Sequence, residues 1–268
     1  MAETVLGRYD HVEHSYPDLE GALLAAAREP VAPVPLPAAA PSCGEAYAIQ
    51  RAVSAASRMP VMVWKLGLTG RGGREAMGAS EPVVGRLPAS AIYCDRSEIR
   101  FSGAEMFAEA ELVFELADDL PDQAAPYTRA DLCRVIKGLY AGIEIVRPRF
   151  ATSDLPLPLL ITDNVMAHGL VLGRRLATEW DERFADLPVT LTRAGEAPVA
   201  GSTALVMDNP LDAVVWLANW LREHEGISLG REQLVASGTC TGATEIFRGD
   251  TISVSFDGAE GARITLGA

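Results

Sequence analysis

Short apolar runs separated by glycine and proline fill the middle of the chain, a pattern typical of β-strands joined by turns. Five such runs are predicted as strands before residue 147: VMVWKLGL (61–68), AIYCD (91–95), EIRFSG (98–103), MFAEAELVFEL (106–116) and GIEIV (142–146). More short strands are expected over residues 187–207. The segment TISVSF–DGAEGA–RITL predicts a hairpin near the C-terminal end.

Helices are predicted first near the N-terminus. Residues 17–29 form one, and an S-x-x-E capping box beginning at Ser42 opens a second that reaches about Ser57. A proline-rich stretch between them predicts an extended connector. This pattern divides the chain into an N-terminal helical segment, residues 1–60, and a β-rich domain, residues 61–268.

Two later helices carry clear start signals. Thr128 is expected to cap a helix over residues 128–141, and Asn209 followed by Pro210 starts another that ends at Gly226. Strands outnumber helices and do not alternate with them. The pattern therefore predicts an α+β fold with a mostly antiparallel or mixed sheet.

Composition narrows the classes of function. The chain has 268 residues, 49% of them hydrophobic, and a formal charge of −13 that would repel phosphate backbones. Its four cysteines form no CxxC pair, which favours free thiols in a reducing compartment. The polar N-terminus does not have the pattern of a signal peptide, and apolar runs are shorter than a membrane helix needs. We expect a cytoplasmic protein that binds neither nucleic acid nor membrane.

The strand predicted over residues 106–116 contains two acidic positions in an apolar setting. Glu109 and Glu111 share one face of a strand, and like charges so close are unfavourable unless a cation compensates them. A hard divalent cation with oxygen ligands is one answer. The alternative is a solvated face of an edge strand. Glu115 shares this face and is expected to lie further out or to be salt-bridged.

Two more charged residues stand inside apolar runs. Glu144 in GIEIV is difficult to bury unless it is paired or bound to metal. With Glu109 and Glu111 it suggests one Mg²⁺ or Mn²⁺ site. Lys65 in VWKLG could neutralise a substrate anion or transfer a proton, or it could be an edge-strand lysine reaching solvent.

Several polar turns are candidates for substrate contact. The glycine-rich residues 67–78 fit neither G-x-G-x-x-G nor G-K-[ST], so we predict a mobile loop over a site. The turn at Asp163 and the turn SGTCTG (237–242) could each bind a carboxylate through hydroxyls and backbone N–H groups, or be ordinary turns. His168 could be an acid in the site or a surface residue.

In this order the motifs resemble those of the 2-keto-4-pentenoate hydratase and 4-oxalocrotonate decarboxylase family, a branch of the fumarylacetoacetate hydrolase superfamily. The similarity spans about residues 42–266. It lies in WKLGLTG, GASEPVVGRL, AEAELVFEL, GIEIV, DNVMAHGLVLG, DNPLDAVVWLANWL and SGTCTG. Val165, Met166, Ala167 and His168 stand where the family commonly has small and hydroxyl residues, which suggests an altered specificity.

The resemblance implies a mixed, rolled β-sheet core with surrounding helices, and a homo-oligomer that acts on a small 2-oxo or 2-hydroxydienoic acid. It implies Mg²⁺ or Mn²⁺ held by Glu109, Glu111 and Glu144. Lys65 would transfer protons or bind an anion, and Asp163 would act as a general base or position water. The candidate substrate contacts are Leu66, Ser237, Thr239 and His168.

The implied chemistry depends on a metal that stabilises a dienolate of the substrate. A hydratase would add water to a 2-hydroxy-2,4-dienoate. A decarboxylase of a 2-oxo-enedioate, or a C–C hydrolase, would use the same electron sink. A third possibility is an inactive homologue that serves as partner subunit of a related pathway enzyme. The residues do not choose between hydratase and decarboxylase, although retention of the three glutamates and Lys65 argues against the inactive homologue.

Overall fold

The structure is a computed structural model and describes residues 16–28, 33–102 and 105–267. The polar leader, part of the proline-rich connector and the end of the strand predicted over 98–103 lie outside these residues. The helices are α1 (Pro17–Arg28), α2 (Cys43–Ala56), α3 (Arg71–Met77), α4 (Arg129–Val135), α5 (Leu157–Thr162) and α6 (Pro210–Trp220). The strands are β1 (Val61–Gly67), β2 (Val83–Pro88), β3 (Ile92–Cys94), β4 (Glu98–Arg100), β5 (Phe107–Leu116), β6 (Ile136–Val146), β7 (Ala167–Ala177), β8 (Pro188–Arg193), β9 (Val199–Ser202), β10 (Leu234–Thr239), β11 (Thr244–Glu245), β12 (Thr251–Phe256) and β13 (Ala259–Gly267).

The strands form two sheets. The larger has the order β2-β1-β10-β5-β6-β7-β3, with β11 also paired to β5, and it curls into a half-barrel. The smaller has the order β4-β13-β12-β8-β9. Most neighbours are antiparallel, but β1 and β10, β3 and β7, and β4 and β13 are parallel. The predicted α+β fold with a mixed, rolled sheet is confirmed.

Side-chain alternation along β5 positions the functional face. Ala108, Ala110, Leu112, Phe114 and Leu116 point into the main hydrophobic core, and each is 0% exposed. The intervening residues face the other side of the sheet. A one-residue slip would exchange these two sets, so burial of the apolar set fixes the register of the acidic one.

The N-terminal helices are tied to the sheet by buried polar contacts. Gln50 on α2 donates through Nε2 to the carbonyls of Val84 (2.8 Å) and Ile161 (2.9 Å). The Tyr47 hydroxyl accepts from the N–H of Val84 at 3.2 Å. Because these groups are buried, the bonds fix α2 against β2 and α5. In the described ranges, the structure contains no helix with the length and apolar content needed to cross a membrane.

The predicted helix boundaries hold where capping residues define them. Ser42 and Glu45 form a reciprocal capping box at the start of α2, and Asn209 caps α6 through the N–H of Leu211. A π-helical turn over Leu221–Glu225 follows α6 and ends at Gly226, whose φ of 66° is left-handed.

Three predictions of local structure need correction. The helix predicted over 128–141 ends at Val135, because the following residues pair with both β5 and β7 as part of β6. The glycine-rich residues 67–78 contain the short helix α3 rather than only a loop. The C-terminal hairpin turns over Asp257 and Gly258, both at positive φ, so β13 starts earlier than expected.

Candidate metal centre and active-site cavity

Three carboxylates converge on one face of the larger sheet. Glu109 and Glu111 alternate along β5, and the strand register places Glu144 of β6 directly across from Glu109. One oxygen from each residue lies within 4.8 Å of the others. β5 has β10 on one side and β6 on the other, so the edge-strand alternative for this acidic pair is wrong.

The three carboxylates are largely buried, and few hydrogen-bond donors face them. Glu111 and Glu144 are 0% exposed, and the Glu109 side chain is 13% exposed. The N–H of Gly238 donates to Oε2 of Glu111 at 3.0 Å. Within the described residues, Oε1 of Glu111 and Oε2 of Glu144 have no hydrogen-bond partner, and Oε1 of Glu144 faces the Lys65 ammonium as an ion pair. Because buried polar oxygens are normally satisfied, these atoms are suited to bind a ligand.

Lys65 supplies positive charge to the cluster. Its Nζ lies 3.2 Å from Oε1 of Glu144 and 3.7 Å from Oε2 of Glu109, and it donates to the carbonyl of Val165 at 3.2 Å. Burial alone would lower the pKa of Lys65, but the charges of the three glutamates raise it above its ordinary value. The side chain is 5% exposed on a strand between β2 and β10, so the edge-lysine alternative is wrong.

The cluster carries more negative charge than Lys65 compensates. Burial and the charge of Glu109 raise the pKa of Glu111 to about 7, against the opposing charge of Lys65. Burial likewise raises the pKa of Glu144 well above its ordinary value. Three ionised carboxylates and one ammonium leave two negative charges, which a divalent cation would cancel. Hard carboxylate oxygens with unused lone pairs fit a hard divalent cation.

A glycine brings a backbone donor to this cluster. Gly238 has a φ of +116°, and a Cβ atom there would lie 2.1 Å from Oγ1 of Thr69. The register of β10 against β5 shifts between Ala236 and Thr239 at this point. Only glycine fits both this positive φ and the close approach of Thr69. The sequence indicated backbone N–H groups in this turn, but not that one of them would bind Glu111.

A cavity of about 680 Å³, here called the site cavity, opens beside the cluster. Lys65, Glu109 and Thr239 border it, and so does Leu66, whose own side chain packs in the hydrophobic core. Its apolar wall is formed by Leu68, Phe107, Val146, Leu160, Val165 and Met166. Arg71, the first residue of α3, stands at the border as a second cation. Arg71 lies in the glycine-rich segment predicted to cover a site, but no local signal distinguishes it there from a surface arginine.

The structure does not bring Ser237, Asp163 and His168 to this cavity. Ser237 is fully buried, and its hydroxyl donates to the carbonyl of Leu112 at 2.8 Å. Asp163 is 0% exposed and accepts from the backbone N–H (2.9 Å) and Nη1 (3.1 Å) of Arg149. Asp163 and His168 border a different cavity, and the two cavities share no lining residue. In this structure Asp163 is the buried partner of an arginine.

Glu115 lies outside the cluster, as expected. It accepts from Lys137 Nζ at 2.9 Å and from the Tyr140 hydroxyl at 2.7 Å. On this face of β5, Val113 stands between Glu111 and Glu115 and separates the two side chains. The carboxylate of Glu115 is therefore paired by its own neighbours and does not take part in the cluster.

Comparison with known proteins assigns the family. No family model matches the chain. The 2-keto-4-pentenoate hydratase of Paraburkholderia phymatum is 32% identical over 178 residues, which are 65% of this chain and 67% of that protein. The TodF product hydratase of Pseudomonas putida is 31% identical over 222 residues, 80% of each chain.

Solved structures agree in fold. 4-Oxalocrotonate decarboxylase from Pseudomonas putida G7, complexed with magnesium and adipate, superposes with a TM-score of 0.81 at 21% identity, covering 93% of this chain and 97% of that one. Fumarylpyruvate hydrolase from Pseudomonas aeruginosa, in complex with Mn²⁺ and pyruvate, gives a TM-score of 0.61 at 17% identity over 78% and 91%. The hydratase relatives above 30% identity show that the chain belongs to the 2-keto-4-pentenoate hydratase family, and the solved structures share its fold.

Proposed function

We propose that the chain is a divalent-metal-dependent hydratase that adds water to a 2-hydroxy-2,4-dienoate and yields a 4-hydroxy-2-oxo acid. The observation that carries the proposal is the convergence of three buried carboxylates and Lys65 beside one cavity. Relatives at about 30% identity that are named hydratases support the choice of reaction.

Glu109, Glu111 and Glu144 would hold Mg²⁺ or Mn²⁺. Such a cation supplies positive charge to the substrate's carboxylate and C2 oxygen, which lowers the energy of negative charge on that oxygen. Support comes from the unsatisfied oxygens of Glu111 and Glu144 and from similar proteins crystallised with magnesium, calcium or Mn²⁺.

Lys65 would hold and move the protons of the reaction. For a five-carbon substrate, the C2 hydroxyl loses a proton and C5 gains one, which gives a conjugated ketone. Water then adds its hydroxyl at C4 and a proton at C3, so the net change is one water added. The proposal is supported by the Lys65 ammonium, which borders the cavity and is held by Glu144 and the Val165 carbonyl.

The rest of the site cavity would orient the substrate and exclude water. The apolar wall that includes Val146, Leu160 and Met166 would surround the substrate's hydrocarbon part. Thr239, which is half-buried, would place a hydroxyl near the polar end, and the backbone next to Leu66 would complete that end.

Decarboxylation of a 2-oxo-enedioate is the second candidate, and Arg71 favours it. This exposed arginine borders the site cavity and could pair with a second carboxylate, which a dicarboxylic substrate has and a monocarboxylic dienoate lacks. The superposition with 4-oxalocrotonate decarboxylase is also extensive.

One assay separates these reactions. Purified protein with Mg²⁺ is given 2-hydroxypenta-2,4-dienoate or 2-oxohex-3-enedioate, while dienol absorbance and CO₂ release are followed. We expect loss of the dienol without CO₂, and loss of that activity in EDTA and in Lys65→Met. Release of CO₂ from the second substrate would favour decarboxylation. Failure to bind Mg²⁺ or Mn²⁺, with no reaction on either substrate, would favour an inactive partner subunit and refute the hydratase.

We further propose that the protein is cytoplasmic and forms a homo-oligomer. The cysteines at 43, 94, 133 and 240 are all free thiols, which fits a reducing compartment. The oligomer is proposed on the family resemblance alone, since single exposed apolar side chains such as Leu205 and Phe247 are normal on monomers. Light scattering after size-exclusion chromatography tests the oligomer, and a mass equal to one chain would refute it.

A further inference from the structure

A second cavity of about 430 Å³, here called the basic cavity, lies between the N-terminal helices and the larger sheet. Arg86, Arg147, Arg149 and His168 border it, and Asp163 is its acidic residue. The remaining wall includes Leu23, Leu24, Val53, Leu87 and Tyr93. The cavity therefore combines an apolar wall with a concentration of basic groups.

Two of these arginines are already paired. Arg86 donates to Gln50 Oε1 (2.8 Å) and to Glu225 Oε1 (2.9 Å). Arg149 donates to Asp163 and, through Nη2, to the carbonyl of Ala167 at 2.8 Å. Their charges are thus compensated inside the protein.

Arg147 is different. It is 5% exposed, its Nε has no hydrogen-bond partner, and Nη2 is 3.5 Å from the carbonyl of Ala26. Among the described residues, no carboxylate lies within 4.0 Å of its guanidinium nitrogens. Burial and the charge of Arg149 lower the pKa of Arg147 from its ordinary value, yet a guanidinium remains protonated at neutral pH. The Asp163 carboxylate acts on this charge only from beyond ion-pair distance. A buried charge without a direct partner is costly, so an anion in the cavity would be stabilised.

His168 adds a neutral donor beside this charge. Burial and the charges of Arg147 and Arg149 lower its pKa to about 3, so the ring is uncharged at neutral pH and offers one N–H. A carboxylate could accept from this N–H and from Arg147 together. The apolar walls favour an organic acid with a hydrocarbon tail over an inorganic anion.

We propose that the basic cavity is a binding site for a small aliphatic carboxylate, held by Arg147 and His168 and separate from the metal centre. The site does not depend on the proposed hydratase activity. Asn164 borders this cavity, while Val165 and Met166 border the site cavity, so the two sites lie on either side of one chain segment.

The test is calorimetric titration of hexanoate into the metal-free full-length protein in EDTA. We expect one equivalent to bind per chain and hexylammonium not to bind. Arg147→Met, which keeps most of the side-chain volume, should weaken hexanoate binding at least about tenfold, as loss of a charged hydrogen bond would. Arg100→Met removes the same charge from an exposed position at the end of β4 and should bind hexanoate as the wild type does.

Several outcomes would overturn the proposal. They are no binding to the wild type, equal binding of hexylammonium, or unchanged affinity in a folded Arg147→Met. If Arg147→Met does not fold, Leu24→Trp decides, because Leu24 is half-buried and a larger ring there fills the cavity. Unchanged affinity in Leu24→Trp would then refute the site. Loss of binding in Arg71→Met would place the ligand in the site cavity instead.

Discussion

Replacing Lys65 with methionine removes the ammonium that faces Glu109 and Glu144 but keeps an unbranched side chain of similar length. In metal-free protein the two carboxylates, 3.7 and 3.2 Å away, then lose their neighbouring positive charge. Removing one partner from a buried ion pair costs about 3–5 kcal/mol. For a chain of this size that is a fall in Tm of roughly 6–20 °C.

Added Mg²⁺ should restore much of this stability, because the cation supplies the charge that Lys65 no longer gives. We therefore expect Mg²⁺ to raise the Tm of Lys65→Met more than that of the wild type, while dienoate turnover stays absent. Differential scanning calorimetry in EDTA and in excess Mg²⁺ measures both effects.

Lys137→Met is the matched control. Its ammonium is 47% exposed and pairs with Glu115 outside the cluster, so its loss should cost less than about 1 kcal/mol with no dependence on Mg²⁺. Equal losses of stability for the two variants in EDTA would refute a charge interaction specific to Lys65. Stabilisation of Lys65→Met by Mg²⁺ that is no greater than that of the wild type would also refute it.

Three further predictions concern neighbouring features. Gly238→Ala puts a methyl group 2.1 Å from the Thr69 hydroxyl at a φ of +116°, so it should lower the free energy of unfolding by more than the roughly 1–3 kcal/mol of backbone strain and should weaken Mg²⁺ binding. Gly195→Ala is the control, because its φ is +89° but no atom crowds its Cβ, so it should show the backbone strain alone. Equal effects of the two variants on Mg²⁺ affinity would contradict this prediction. Asp163→Asn should lower the free energy of unfolding by about 3 kcal/mol in urea titrations, since it disrupts a buried ion pair, and should leave Mg²⁺ affinity unchanged; a large loss of affinity would instead link Asp163 to the metal centre. In metal-free protein, the pKa of Glu111 is about 7 and exceeds its ordinary value of 4.5, so the folded state keeps a proton that the unfolded state releases. The free energy of unfolding measured by urea titration should therefore fall as pH rises from about 4.5 to about 7. If excess Mg²⁺ leaves this pH dependence unchanged, Glu111 is not the group responsible for it.

The acidic cluster could be predicted from the sequence because strand periodicity decides which side chains share a face. Glu109 and Glu111 two residues apart, and charges inside otherwise apolar runs at Lys65 and Glu144, are local signals. The pairing of β5 with β6 then brings Glu144 opposite Glu109. The helix caps predicted at Ser42 and Thr128 are equally local, and both are present.

The predictions that were wrong concern features set by contacts between residues far apart in the sequence. Residues 136–141 have a helical pattern of apolar positions, but two neighbouring strands hold them in β6. Asp163 ends α5 and His168 lies at the start of β7, and nothing local in the sequence shows which cavity their side chains reach. Residues 164–166 all have a φ near +56°, which is unusual for a β-branched residue such as Val165. No local pattern in the sequence indicates this backbone conformation.

Metal affinity in glutamate variants tests the central claim most directly. Calorimetric titration of Mn²⁺ should give one equivalent per chain for the wild type, and a loss of about tenfold or more in Glu111→Gln and Glu144→Gln, as removal of a charged ligand predicts. Glu115→Gln, on the same strand but paired with Lys137, should bind Mn²⁺ as the wild type does. Wild-type affinity in Glu111→Gln and Glu144→Gln, or an equal loss in Glu115→Gln, would contradict a metal centre at this cluster.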